Sequence, residues 1–102
     1  MNKSNKSSRG DIFYEINNER SYQDKKWGNL TVKNHEIPGW LLIMRTELTE
    51  AEESWMKLTI EESLSEVLQV VATGVACLEQ HGVWSRESIQ LMLDDIKRRQ
   101  HS

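Results

Sequence analysis

The sequence predicts an all-α protein built as an antiparallel four-helix bundle. Three observations lead there. Only one proline and five glycines punctuate 102 residues, too few breakers to separate a set of strands. Apolar residues recur at helical spacing in four segments, each bounded by a plausible cap or stop. The stretch Leu64–Leu78, LSEVLQVVATGVACL, is apolar on almost every face, as expected of a central, buried helix.

Taken in order, residues 1–10 are polar and read as a flexible N-terminal tail, leaving 11–102 as one helical domain. Ser8 or Asp11 can cap a first helix that runs to about Trp27, with Gly28 as its stop. Its apolar face starts at Ile12, Phe13 and Ile16, then turns polar through Glu19 and Gln23 before reaching Trp27. A core stripe that turns polar halfway suggests a helix bordering a polar site.

Residues 29–37 read as a loop, and His35 within it as a residue able to close over that site. Pro38 suits the first turn of a second helix, about 38–57, which buries Leu41, Met44, Leu48, Ala51 and Trp55. Trp40 is also expected in the core. Thr59 and Glu62 form a capping box for the third helix, which runs to about Gln80 and stops at Gly82. Ser85 can cap a fourth helix, about 86–99, that turns Ile89, Leu93 and Ile96 inward, with Trp84 packed between helices three and four.

The totals exclude several classes. A formal charge of −3 argues against direct nucleic-acid binding, which leaves a basic footprint. No apolar run approaches ~18 residues, so no membrane span is expected. The single cysteine, Cys77, lies in the apolar helix and reads as a small buried hydrophobe in a reducing compartment. With no apolar signal segment near Met1, the expected location is the cytoplasm. A helix apolar on all sides has more greasy surface than three neighbours cover, so self-association as a dimer or tetramer is expected.

The chemistry lies in a few polar residues at helical spacing. Glu47 and Glu50, at i and i+3, share one face of the second helix. Glu66, Gln69 and Thr73 draw a single polar line along the otherwise apolar third helix. If the two helices are antiparallel neighbours, their polar edges converge on a site for a hard divalent ion such as Mg²⁺ or Mn²⁺. E-x-x-E pairs also arise by chance in a chain with 16 acidic residues, where most are solvated faces.

The segments ERSYQDKKWG (19–28), WLLIMRTELTEAEESW (40–55) and SEVLQVVATGVACLEQHG (65–82) together resemble the MazG-like, all-α nucleoside triphosphate pyrophosphohydrolases. The chain looks closest to a small branch with an E-R-x-x-Q-D-x-K-W-G segment before the bundle. The resemblance implies Mg²⁺-dependent cleavage between the α and β phosphates of a nucleoside triphosphate, giving monophosphate and pyrophosphate, with a role in the nucleotide pool. It implies metal ligation and catalysis by Glu47, Glu50 and Glu66. Gln69 stands where an aspartate is usual, and Thr46 where a second glutamate is common, so the acid set is thinned at two points. Gln23, Asp24, Lys26 and Trp27 become expected substrate contacts. Lys26 would meet a phosphate as a point charge, Trp27 would stack on a base, and Gln23 would bond a base edge or sugar. Set against this, Trp27 can instead pack at a helix end and Lys26 can be a solvated charge.

Two other readings remain. One is a catalytically degenerate nucleotide-binding or protein-interaction module of the same fold. The other is a helical oligomer without a small-molecule ligand, in which Glu66 pairs with Arg45 or another basic residue.

Overall fold

The computed structural model describes residues 7–57 and 59–100. Four helices and no strand occur among them: α1 (Arg9–Trp27), α2 (Ile37–Lys57), α3 (Ile60–His81) and α4 (Arg86–Gln100). Residues 1–6 of the expected tail lie outside the described residues, and α1 already begins at Arg9.

The helix ends follow their local chemistry. Ser8 caps α1 by accepting from the Asp11 N–H at 3.1 Å, while the Asp11 carboxylate accepts from the Ser8 N–H at 3.4 Å. The two sequence candidates are therefore one reciprocal device. Gly28 ends α1 at φ 95°, a conformation that disfavours any side chain, and its N–H donates to the Asp24 carbonyl. Pro38 sits in the first turn of α2, as its missing N–H allows. Thr59 accepts from the Glu62 N–H at 3.1 Å at the start of α3, and Ser85 does the same for Ser88 at the start of α4.

Helices α2 and α3 form an antiparallel hairpin. Partners step down α3 as they step up α2: Trp40 bonds Gln80, Glu47 bonds Thr73, and the Ala51 carbonyl accepts from Ser63. The Met44 methyl packs over Gly74, where an added Cβ would lie 3.2 Å from it. Helix α1 packs on α3. The buried residues lie along these two contacts: Arg20, Trp40, Ala51, Ser54, Ala72, Thr73 and Ala76.

The fourth helix departs from expectation. It packs against none of α1–α3 and extends the molecule to 63 Å in its longest dimension. Ile89, Leu93, Ile96 and Trp84 are consequently exposed rather than turned inward. Within this chain α3 is not a fully enclosed central helix either, because α1 covers one side of the hairpin only. Leu41, Leu48 and Trp55 on α2, and Leu64, Val67, Val71 and Leu78 on α3, face solvent on the other side. Met44 is half-buried and Ala51 buried, at the inner edge of the same stripe. The helices and most of their caps are set by local signals. The assignment of the large apolar residues to an enclosed core assumed a fourth layer that this chain does not supply. No helix among the described residues is long and apolar enough to cross a membrane.

Candidate functional site

A cavity of about 300 Å³ opens where the second half of α1, the 29–35 loop, α2 and α3 meet. The polar residues on the second half of α1 enter it because its interior residue is a cation. Arg20, only 6 % exposed, is the one buried residue of α1. Its guanidinium forks onto Glu79 of α3, with Nε at 2.7 Å and Nη2 at 3.2 Å from the two carboxylate oxygens. Nη2 also donates to Asp24 Oδ1 at 3.1 Å, and Nη1 to Gln23 Oε1 at 3.3 Å. The Glu79 hydrogen bond, opposed by burial and reinforced by Asp24, raises the Arg20 pKa further above its already high value. Arg20 thus ties α1 to α3 and fixes the Gln23 amide with its oxygen inward, leaving its NH₂ to donate elsewhere.

The loop wall is held by Gln80. Its Oε1 accepts from the His35 N–H (3.1 Å) and from Trp40 Nε1 (2.9 Å), and its Nε2 donates to the His35 carbonyl (2.8 Å). The His35 ring meets Trp40 edge-on, with centroids 4.8 Å apart. Replacing Gln80 with alanine strands the buried Trp40 N–H and leaves the His35 main chain with only the contact of its carbonyl to His81 Nε2 at 2.8 Å. The expected cost is about 1 kcal/mol, read as faster amide hydrogen exchange at His35 with α1 protection unchanged.

Glu47 stands on the α2 and α3 side of the cavity. Its Oε2 accepts from the Thr73 hydroxyl at 3.1 Å, while its Oε1 is buried with no hydrogen-bond partner. Burial pushes its pKa up, the Thr73 bond pulls it back, and the charges of Glu50, Glu66 and Glu19 push it up again. A carboxylate left in that state takes up a proton or takes a cation.

The residues expected at a site fall into three places. Gln23, Asp24, Trp27 and Glu47 line the cavity together. Glu50, Glu66 and Gln69 line a separate, more open depression with Glu53, Ser54 and Lys57. Lys26 lines neither; its ammonium lies over the rings of Trp27 (4.8 Å) and Tyr22 (5.7 Å). Trp27 is 54 % exposed, with one face of its ring under the Lys26 ammonium. Glu66 forms no salt bridge with Arg45; the ion pairs found join Arg20 to Asp24 and Glu79, and Arg98 and Arg99 to Asp95.

Carboxylate oxygens would suit a hard divalent ion, and Glu47 Oε1 is the buried one without a hydrogen-bond partner, with Glu50, Glu66 and Glu19 adding negative charge around it. Among the described residues, no three His, Cys, Asp or Glu side chains form a ready metal-holding cluster. Glu47 lines the cavity, whereas Glu50 and Glu66 line the depression.

Sequence reasoning did not single out Arg20, Glu79, Gln80 or Lys33. Lys33 lines the cavity, which Lys26 does not. Arg20 stands four residues before Asp24, a helical ion-pair spacing visible in the sequence, but its partner Glu79 is 59 residues away. Compared with family models, with curated proteins and with solved structures, the chain matches none.

Proposed function

We propose that the chain is a divalent-metal-dependent nucleoside triphosphate pyrophosphohydrolase of the MazG-like, all-α kind, acting on the cytoplasmic nucleotide pool. The observation that carries this reading is the buried, partnerless carboxylate oxygen of Glu47 in a cavity that also holds Gln23, Asp24 and Trp27. About 300 Å³ is the lower end of the volume that small-molecule sites occupy. It suits a base and sugar, with the phosphates reaching outward toward the acidic depression. Trp27 stacks on the base, the Gln23 NH₂ donates to its edge, and Lys33 meets phosphate as a point charge. Glu47, Glu50 and Glu66 hold Mg²⁺ or Mn²⁺, and Gln69 contributes through a water. When bound, such an ion lowers the pKa of an attacking water and neutralises charge on the phosphates.

The test is pyrophosphate release from a panel of nucleoside triphosphates with Mg²⁺ and with Mn²⁺. Turnover of at least one nucleotide, lost on addition of chelator, is the expected result. No pyrophosphate from any nucleotide with either metal would sink the reading.

One observation favours a second reading, a nucleotide-binding or interaction module that has lost its chemistry. The acids do not stand in one metal-holding cluster, and Gln69 brings no charge. That module would be stabilised against heat by a nucleotide in the presence of chelator, whereas the enzyme would need the metal for comparable stabilisation.

A further inference from the structure

Three threonines lie inside helices, and two of them bond as helical threonines commonly do. The Thr46 hydroxyl donates to the Leu42 carbonyl and the Thr49 hydroxyl to the Arg45 carbonyl, each at 3.0 Å and one turn back along α2. Both residues are exposed. Thr73 differs. Its hydroxyl leaves α3 and donates across the hairpin to Glu47 Oε2 at 3.1 Å. Thr73 is only 4 % exposed, between the buried Ala72 and Ala76, so its single proton is committed to that carboxylate.

The bond makes the two oxygens of Glu47 unlike. Oε2 is held from a stiff, β-branched side chain on the facing helix, while Oε1 is buried with no hydrogen-bond partner. A glutamate that is not held turns readily about its last torsion and offers either oxygen, or both. Glu47 does so only by giving up the Thr73 bond. Divalent ions differ in what they ask of such a group. Ca²⁺ accepts a carboxylate through both oxygens in a loose, many-ligand shell. Mg²⁺ demands a near-ideal octahedron, which the narrow bite of a chelating carboxylate strains. A carboxylate pinned at one oxygen suits Mg²⁺ better than Ca²⁺.

We propose that Thr73 is a positioning residue, holding Glu47 so that Oε1 alone meets the ion and thereby setting a preference for Mg²⁺ or Mn²⁺ over Ca²⁺. This rests on the metal role given to Glu47 above. Thr73 acts through Glu47 and not on the ion, as hydrogen-bond partners of metal-ligating carboxylates do.

Calorimetric titration of Mg²⁺, Mn²⁺ and Ca²⁺ into the full chain, without nucleotide, tests this. The wild type is expected to bind Mg²⁺ and Mn²⁺ more tightly than Ca²⁺, and Glu47→Gln to lose that binding. Thr73→Val keeps the shape and removes the hydroxyl. It should weaken Mg²⁺ and Mn²⁺ roughly tenfold and Ca²⁺ by less, so that the ratio of their affinities falls. Thr73→Ala should do the same, and covers the case in which valine packs badly beside Ala72 and Ala76. Thr73→Ser retains the hydroxyl and should keep the ratio near that of the wild type. In Glu47→Gln, adding Thr73→Val should change nothing further. Circular dichroism checks that each variant is folded. An unchanged ratio in folded Thr73→Val or Thr73→Ala overturns the proposal and leaves Glu47 a ligand. So does a fall as large in Thr73→Ser, a further effect in the Glu47→Gln background, or a wild type that prefers Ca²⁺. Ions that bind wild type and Glu47→Gln alike, or bind neither, overturn the metal role of Glu47 and this proposal with it.

Discussion

Glu47→Gln is expected to melt higher than the wild type in chelator at neutral pH and to lose pyrophosphate release by at least about 100-fold. The two effects share one cause. Folding places a carboxylate where one oxygen has no partner and three other acids add their repulsion, so the native state carries an uncompensated charge. Glutamine keeps the shape and the Thr73 bond while removing the charge. The gain should be about 1 kcal/mol, or about 4–8 °C in melting temperature for a chain of this size. The pH dependence gives the sign independently. A carboxyl whose folded pKa is raised binds its proton more tightly when folded. The unfolded chain therefore releases that proton first as pH climbs from the ordinary value of 4.5. Wild-type stability relative to Glu47→Gln should fall through that window and level off once the folded carboxyl has ionised. Adding Mg²⁺ or Mn²⁺ should then reverse the order, raising the wild type and leaving the variant unmoved. A variant that melts no higher than wild type in chelator, or responds to metal equally, removes Glu47 from the role given to it here.

The second large effect is expected at Arg20. Arg20→Ala takes away four hydrogen bonds and the only buried side chain of α1, while Glu79 and Asp24 remain partly exposed and can recruit water. The half-open partners reduce the penalty below that of a fully enclosed ion pair, so the expected loss is about 2–3 kcal/mol. Arg20→Lys should recover little of it, because an ammonium cannot fork onto Glu79 while reaching Asp24 and Gln23. Chemical denaturation checks the magnitude. The readout that separates positioning from plain stability is the Gln23 side-chain amide signal. It should broaden or shift in Arg20→Lys under conditions where the fold remains intact. Retention of wild-type stability in Arg20→Lys would mean that charge alone, without the fork, ties α1 to α3.

The helices were legible because their signals are local. Ser8 with Asp11, Thr59 with Glu62, Ser85, and the glycines at 28 and 82 each act within a few residues of themselves. The polar line on α3 was legible for the same reason, and Thr73 from that line does meet Glu47. What sequence could not supply was pairing at a distance. Arg20 with Glu79 and Gln80 with His35 join residues 59 and 45 apart, and nothing in their neighbourhoods announces a partner. Lys26 and Lys33 show the same limit from another side. Both are cations near the end of α1 and its loop, and only the path of the chain decides that one lies over aromatic rings while the other lines the cavity. The large apolar residues misled for a different reason. Periodicity tells which face of a helix is apolar, but not which neighbour covers it.

Gln80 grips the loop through the main chain of His35, taking its N–H and answering its carbonyl much as an adjacent strand would. A grip on the backbone at His35 does not depend on the side chains at Leu30, Val32 or Lys33, whereas Asn29, Asn34 and His35 hold the loop through their own side chains. Substitutions at Leu30 and Lys33 can therefore change what the cavity wall presents while that grip stays. The scaffold keeps one anchored edge whose lettering is free to vary, and selection for a new ligand could proceed there at little risk to the fold.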